Sequence, residues 1–230
     1  MRSVLVTTME VVLVFGAVLA VATWGEEAKN PEPPAKVALN FDDIKDGRLP
    51  PGWKVDATDS KGDLAEWKVV ADGKAPSKPN VLAITKITDT SRGVFNLCWT
   101  PEVKFKDGSV SVKARANTGD IDQGGGLIWR ARDVKHYYVF RYNPLETNCR
   151  LYFVKDGVRV QLADAKGLQV PAGQWFTLKV IHKGDKIECW LDGKKVIEAT
   201  DATFPDAGGV GLWTKADAAS SFDDFEVAAE

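Results

Sequence analysis

From Val37 onward the chain alternates hydrophobic and polar residues in short runs broken by Gly, Asp, Asn and Pro. A period of two marks strands with one buried face, and no stretch keeps a helical period over three turns. The pattern predicts strands at Val37–Phe41, Trp67–Ala71, Val81–Thr85, Val94–Trp99, Ser109–Ala116, Gly126–Arg132, Tyr137–Asn143, Arg150–Val154, Val158–Ala163, Trp175–His182, Lys186–Leu191, Val196–Ala199, Gly208–Trp213 and Phe222–Val227. Turn signals stand between them at Asp107-Gly108, Asp156-Gly157, Gly184-Asp185 and Asp192-Gly193. Asp-Gly supplies the positive φ of tight turns, so these are read as hairpins. The fold class that follows is all-β: one antiparallel sandwich of two sheets over 37–230.

Alternation also assigns faces. In "QWFTLKVIHKG", Trp175, Thr177, Lys179 and Ile181 point one way, and Phe176, Leu178, Val180 and His182 the other. In "KIECWLDG", Ile187, Cys189 and Leu191 oppose Glu188, Trp190 and Asp192. In the segment Gly126–Val154, the core set is Leu127, Trp129, Tyr138, Phe140, Tyr142, Leu151 and Phe153. The opposite face then carries Ile128, Arg130, Val139, Arg141, Asn143, Arg150 and Tyr152, with Arg132 continuing it, provided the strands are neighbours. If Trp213 and Lys215 also point outward, they join this cluster. Arg, Asn and Tyr donate directed hydrogen bonds to hydroxyls and carboxylates, and an aromatic face stacks on the C–H side of a sugar. The alternative reading is that Arg130, Arg141 and Arg150 pair with Glu146, Asp133 or other neighbours and only solubilise an exposed sheet.

The N-terminus changes the picture of where such a domain works. Arg2 precedes a 12-residue apolar run, "VVLVFGAVLAVA" at Val11–Ala22, which is too short to span a bilayer comfortably. With Ala20-Val21-Ala22 as a cleavage site, residues 1–22 read as a secretory leader, the alternative being an uncleaved anchor. "TWGEEAKNPEPPAK", residues 23–36, reads as a charged, proline-rich disordered linker. The expectation is a secreted, periplasmic or cell-envelope protein that leaves the membrane once the leader is cut. Cys98, Cys149 and Cys189 each lie in an apolar run, which favours buried small hydrophobes, though one bridge stays possible. A net charge of −2 offers no electrostatic case for nucleic acid.

Catalytic signatures are sparse. There is no G-x-S-x-G elbow, no H-E-x-x-H, no Cys/His set at zinc spacing and no phosphate loop. Gly124–Gly126 reads as a loop or bulge. Asp120 and Asp122 are read as a solvated polar turn rather than a glycosidase pair. His182 precedes Lys183-Gly184 and is read as an exposed hairpin residue, whereas His136 stands within reach of a site at the sheet rim.

Gly173-x-Trp175 opening the ladder and Trp190-Leu191-Asp192-Gly193 closing it resemble the laminin-G/concanavalin A-like jelly roll. "LNFDDIKDGRLPPGW" (Leu39–Trp53) and "GGVGLWTKADAASSFDDFEV" (Gly208–Val227) look like its first and last strands, so the likeness covers Val37–Val227. Within that superfamily the chain is similar to the exported bacterial 3-keto-disaccharide hydrolase domain, related to family 16 glycoside hydrolases. "GGGLIWR", Gly124–Arg130, stands where that family has N-S-G-x-x-x-R, and "WTKA", Trp213–Ala216, where it has Q-x-H-G; the Asn, Gln and His are absent. The E-x-D-x-x-E carboxylates of the laminarinase-type relatives are absent too.

The resemblance implies glycan binding on a concave sheet, by an oligo- or polysaccharide partner, at Arg130, Arg132, Arg141, Asn143, Arg150, Tyr152, Trp213 and Lys215. It also implies a structural Ca²⁺ where the terminal strands meet, at Asp42, Asp43, Asp223 and Asp224, since calcium takes six to eight oxygens. Three functions stand open: binding without catalysis, a hydrolase or lyase acting on 3-keto-glycosides, and a structural or adhesive surface protein. The missing carboxylate pair favours the first over the second.

Overall fold

The computed structural model describes residues 36–230; the leader at 1–22 and all but the last residue of the linker lie outside them. Fifteen strands follow in order: β1 Lys36–Leu39, β2 Lys54–Thr58, β3 Glu66–Ala71, β4 Asn80–Lys86, β5 Phe95–Phe105, β6 Gly108–Thr118, β7 Gly125–Asp133, β8 His136–Asn143, β9 Asn148–Lys155, β10 Val158–Lys166, β11 Trp175–Lys183, β12 Lys186–Leu191, β13 Lys194–Thr200, β14 Gly208–Lys215 and β15 Ala219–Ala229. They form a two-sheet antiparallel jelly roll. The eight-stranded sheet runs β13-β12-β11-β6-β15-β4-β3, with β1 also on β15, and the seven-stranded sheet runs β10-β9-β8-β7-β14-β5-β2. On one edge of β15, β4 takes Ser221 and Phe222 while β1 takes Phe225 to Ala228.

The core lies between the sheets, where alternation puts it. Phe176, Leu178 and Val180 of β11 and Ile187, Cys189 and Leu191 of β12 meet Leu127, Trp129, Tyr138, Phe140, Tyr142 and Leu151 of the facing sheet. Each large apolar side chain sealed there contributes roughly 1.5–3 kcal/mol. Cys98, Cys149 and Cys189 are buried and free, and burial pushes the Cys149 thiol up to about 12.

Three expectations change. Asp107-Gly108 does not close a hairpin: it carries the chain from the seven-stranded sheet at Phe105 to the eight-stranded sheet at Gly108. There the Asp107 carboxylate accepts the Gly184 N–H at 2.7 Å. His182 is not an exposed turn residue but fully buried, its Nδ1 accepting the Trp129 Nε1–H at 2.9 Å beside Tyr138. Strand β2 goes unpredicted because "KVDAT" carries only two apolar residues; it is held as an edge by pairing with β5. The other three turns do close hairpins, with Lys155 opposite Val158, Lys183 opposite Lys186, and Leu191 opposite Lys194.

Candidate functional site

The seven-stranded sheet has a second, outward face with its own apolar cluster: Phe95, Leu97, Trp99, Ile128, Tyr137, Val139, Tyr152, Val154 and Trp213. Register sets its rows. Trp213 pairs with Gly126, Gly126 with Arg141, and Arg141 with Arg150. In the next row Gly211 pairs with Ile128, Ile128 with Val139, and Val139 with Tyr152. The two glycines matter here: a Cβ on Gly126 would stand 2.7 Å from the Arg141 Cβ, and one on Gly211 would collide with the Trp99 side chain. Glycine is what lets the large side chains of neighbouring strands lie over these positions.

Six of the eight predicted ligand residues come together on this face. Arg141 donates to Glu146 Oε2 at 2.6 Å, to the Asn148 carbonyl at 3.2 Å and to the Tyr152 hydroxyl at 3.4 Å. Arg150 pairs with the same Glu146 oxygen at 3.0 Å and with Asp164 at 3.4 Å. Asn143 and Lys215 share Asp122, donating to its two oxygens at 2.9 and 2.7 Å. Trp213 packs against Phe95 with ring centroids 5.4 Å apart. The pairing of Arg141 and Arg150 with Glu146 is the one that the solubilising alternative expects. Burial alone would raise the Glu146 carboxyl, but the two guanidinium groups outweigh it and hold it below the usual carboxylate range.

Arg130 and Arg132 leave the cluster. Between Trp129 and Asp133 the register of β7 against β8 slips, and Arg130 takes a left-handed φ of 45°. The bulge swings its side chain off the outward face into full burial. There Nε donates to the Lys106 carbonyl at 2.8 Å, Nη1 to Phe204 at 2.9 Å, and Nη2 to Gly184 at 3.0 Å and to Asp107 Oδ1 at 3.3 Å. Arg132 lies over the Phe204 ring and pairs with Asp206 at 3.2 Å.

Alternation alone did not single out Arg159, Asp122 and Glu146. Asp122 is 6% exposed, so it is a buried anchor rather than the solvated turn residue expected. Arg159 of β10 pairs across from Val154 and lies over three rings, 4.4 Å from Tyr152, 5.0 Å from Phe95 and 5.9 Å from Trp213. Among the described residues it makes no hydrogen bond or ion pair, and burial, with Arg141 nearby, holds its pKa below the usual arginine value against the opposing pull of Tyr152. The face thus has five cations (Lys54, Arg141, Arg150, Arg159, Lys215) and four carboxylates (Asp56, Asp122, Glu146, Asp164), and Arg159 is the cation without an ion-pair partner among the described residues. His136 sits at the rim between Asp133 and Asp156, 2.8 and 3.0 Å from their carboxylates.

Three of the four acids expected to hold calcium have protein partners, Asp43 being the exception. Asp223 is fully buried and accepts the Ser77 N–H at 2.8 Å and the Ser77 hydroxyl at 3.1 Å. Asp224 pairs with Lys113 at 2.8 Å, and Asp42 accepts the Asn80 N–H at 3.0 Å. Among the described residues no three His, Cys, Asp or Glu side chains converge here.

Two solved structures show the same fold. The carbohydrate-binding module CBM66 from Bacillus subtilis is similar at 19% identity over 76% of this chain and 94% of that one, with a TM-score of 0.58. A β-glucanase from Bacillus licheniformis is similar at 12% identity over 85% and 98%, with a TM-score of 0.55. No curated protein matches the sequence. The model of the 3-keto-alpha-glucoside-1,2-lyase-like domain matches residues 40–228, nearly the whole of the described sandwich, and the chain belongs to that family.

Proposed function

We propose that this is an exported carbohydrate-binding jelly roll that engages an oligo- or polysaccharide on the outward face of its seven-stranded sheet, taken as the concave one. The observation that carries the reading is Arg159: a half-buried guanidinium stacked over Tyr152, Phe95 and Trp213, with no carboxylate of its own. An unmatched cation offers a hydroxyl or carbonyl oxygen a strong donor, and the buried rings beneath it hold it in place. Arg150 and Glu146 share this face with it; Arg141 holds Glu146, Tyr152 and Trp213 lie under Arg159, and Asn143 and Lys215 hold Asp122. The family name makes a glucoside with a ketone at C3 the first ligand to try.

A second reading, a lyase acting on such glucosides, draws on the same family name and on Asp122 and Glu146 sharing this face. Elimination next to a ketone needs a base to take the adjacent carbon-bound proton. The two arginines on Glu146 lower its pKa and make it a weak base, and both oxygens of Asp122 are taken by Lys215 and Asn143. Binding is therefore favoured. Titration calorimetry of the full chain with a 3-keto-disaccharide and its unoxidised parent tests the reading. Arg159→Ala is expected to weaken binding by about 10–100-fold, the loss of one charged hydrogen bond. Equal affinity in the variant would refute the site, and an eliminated product would favour the lyase.

A further inference from the structure

Arg159 has no carboxylate to fix it, so its place depends on the backbone that carries it. That backbone is the end of a sheet: β10 pairs with β9 alone, and Val158 and Val160 on either side of Arg159 are exposed. The tip of the β9–β10 hairpin is held from outside, by the turn between β7 and β8. The Gly157 N–H donates to the Lys135 carbonyl at 3.2 Å, and His136 Nε2 lies 3.0 Å from Asp156 Oδ1.

The β7–β8 turn is the firmer partner. Thr58, fully buried on β2, donates to the Val134 carbonyl at 2.5 Å and hydrogen-bonds the Tyr137 hydroxyl at 2.9 Å. Asp133 accepts the Lys135 N–H at 2.7 Å and meets His136 Nδ1 at 2.8 Å, which sets the imidazole, and the Phe204 ring stands edge-on to it. The imidazole thus has a carboxylate at each nitrogen. A neutral imidazole carries one N–H, so only the imidazolium donates to both. With the Nδ1–H kept by Asp133, deprotonation turns the Nε2 lone pair toward the Asp156 carboxylate and repels it. The Asp156 N–H, 3.3 Å from Nε2, is then the ring's remaining contact with the hairpin. Other charged groups on the neighbouring elements do not take over this role. Arg132 is drawn to Asp206 and over Phe204, Lys135 and Lys155 make no ion pair among the described residues, and Asp59 faces the hairpin at Gly157.

We propose that His136 is a positioning residue for Arg159: as an imidazolium it staples the β9–β10 turn to the β7–β8 turn, and so holds the β10 guanidinium over Tyr152, Phe95 and Trp213. The inference rests on the Arg159 reading of the ligand face. Its consequence is a pH dependence. The hydrogen bond to Asp133 raises the His136 pKa above 6.5 against desolvation, and Asp156 adds to the rise. A group whose folded pKa is raised gives its full stabilisation below the free value and loses it as the pH climbs through the folded one. The staple is therefore complete below pH 6.5 and opens above it. The chain's other histidine, His182, is silent here, because burial depresses its pKa to about 4.

Titration calorimetry of the full chain with 3-keto-trehalose, from about pH 5.5 to about 8, tests this. NMR on the same samples follows the His136 ring and the protection of the Gly157 amide against hydrogen exchange. Affinity is expected to fall about two- to fivefold across the His136 titration, the share of one exposed ion pair, and Gly157 protection to fall with it. His136→Gln should bind at every pH as the parent does at the alkaline end. Asp156→Asn should move the imidazole midpoint down, since one of its two carboxylates is gone. A flat affinity profile in a parent that binds, an unchanged slope in His136→Gln, or Gly157 protection that ignores the imidazole titration would each overturn the assignment. Absence of binding at any pH, with Gly157 still following the imidazole, would sink the Arg159 reading and the positioning role with it, leaving only a structural staple.

Discussion

Replacing Arg130 with methionine tests whether that residue binds ligand or holds the sandwich together. Methionine keeps the length and the aliphatic packing and removes every donor. Three backbone carbonyls, those of Lys106, Phe204 and Gly184, lose their partner, and Asp107 loses its guanidinium while keeping the Gly184 N–H. Hydrogen bonds to a charged group contribute about 1.5–3 kcal/mol each, and breaking a buried charged network costs about 3–5 kcal/mol overall. Asp107 remains one-third exposed and so is not stranded, which puts the expected loss nearer 3–4 kcal/mol. For a domain of this size that lowers Tm by roughly 6–16 °C. Urea unfolding and thermal melts followed by circular dichroism read the loss, with glycan titration run on the same preparation. A loss under about 1 kcal/mol would refute the structural role. Ligand affinity lost at unchanged stability would return Arg130 to the face where simple alternation puts it.

Two further outcomes follow from buried groups. Burial, with Arg130 nearby, depresses the His182 pKa to about 4 from 6.5, so the folded state holds it neutral. The unfolded chain takes up that proton first, so stability is unaffected above pH 6.5, falls between about 6.5 and 4, and levels below. Between pH 7 and 4 the protein should lose up to about 3 kcal/mol more than His182→Gln does in denaturant titrations; parallel curves would contradict the assignment. Because Asp42, Asp223 and Asp224 are already spent on Asn80, Ser77 and Lys113, Tm should agree within about 1 °C between excess calcium and chelator, and a rise of several degrees would reveal a site.

Much of the fold is legible because alternation is a local property. The faces of Trp175–His182 and Gly126–Trp129 come directly from it. It fails at Arg130, where a register slip beside β14 inserts a residue and reverses the count; nothing in "GLIWRARD" announces that slip. Asp107-Gly108 has the same local chemistry as Asp156-Gly157, and only long-range pairing decides that one turns within a sheet and the other crosses between sheets. Arg159, in contrast, was within reach. A two-residue turn at Asp156-Gly157 sets Arg159 opposite Val154, on the same face as Tyr152, before any coordinates are known. Asp122 was hidden for another reason: burial of a loop carboxylate depends on Asn143 and Lys215 arriving from distant strands.

The position of the last two strands has a consequence for how the protein is made. β14 lies between β7 and β5, and β15 between β6 and β4, so residues 208–229 fill the middle of both sheets. Until they emerge during synthesis, each sheet is two separate pieces with open edges, and no cooperative core can close. Folding that waits on pairings so distant in sequence is slow and leaves strands exposed to wrong partners. Such a chain stays unfolded until residues 208–229 have been made, and the two sheets then close together.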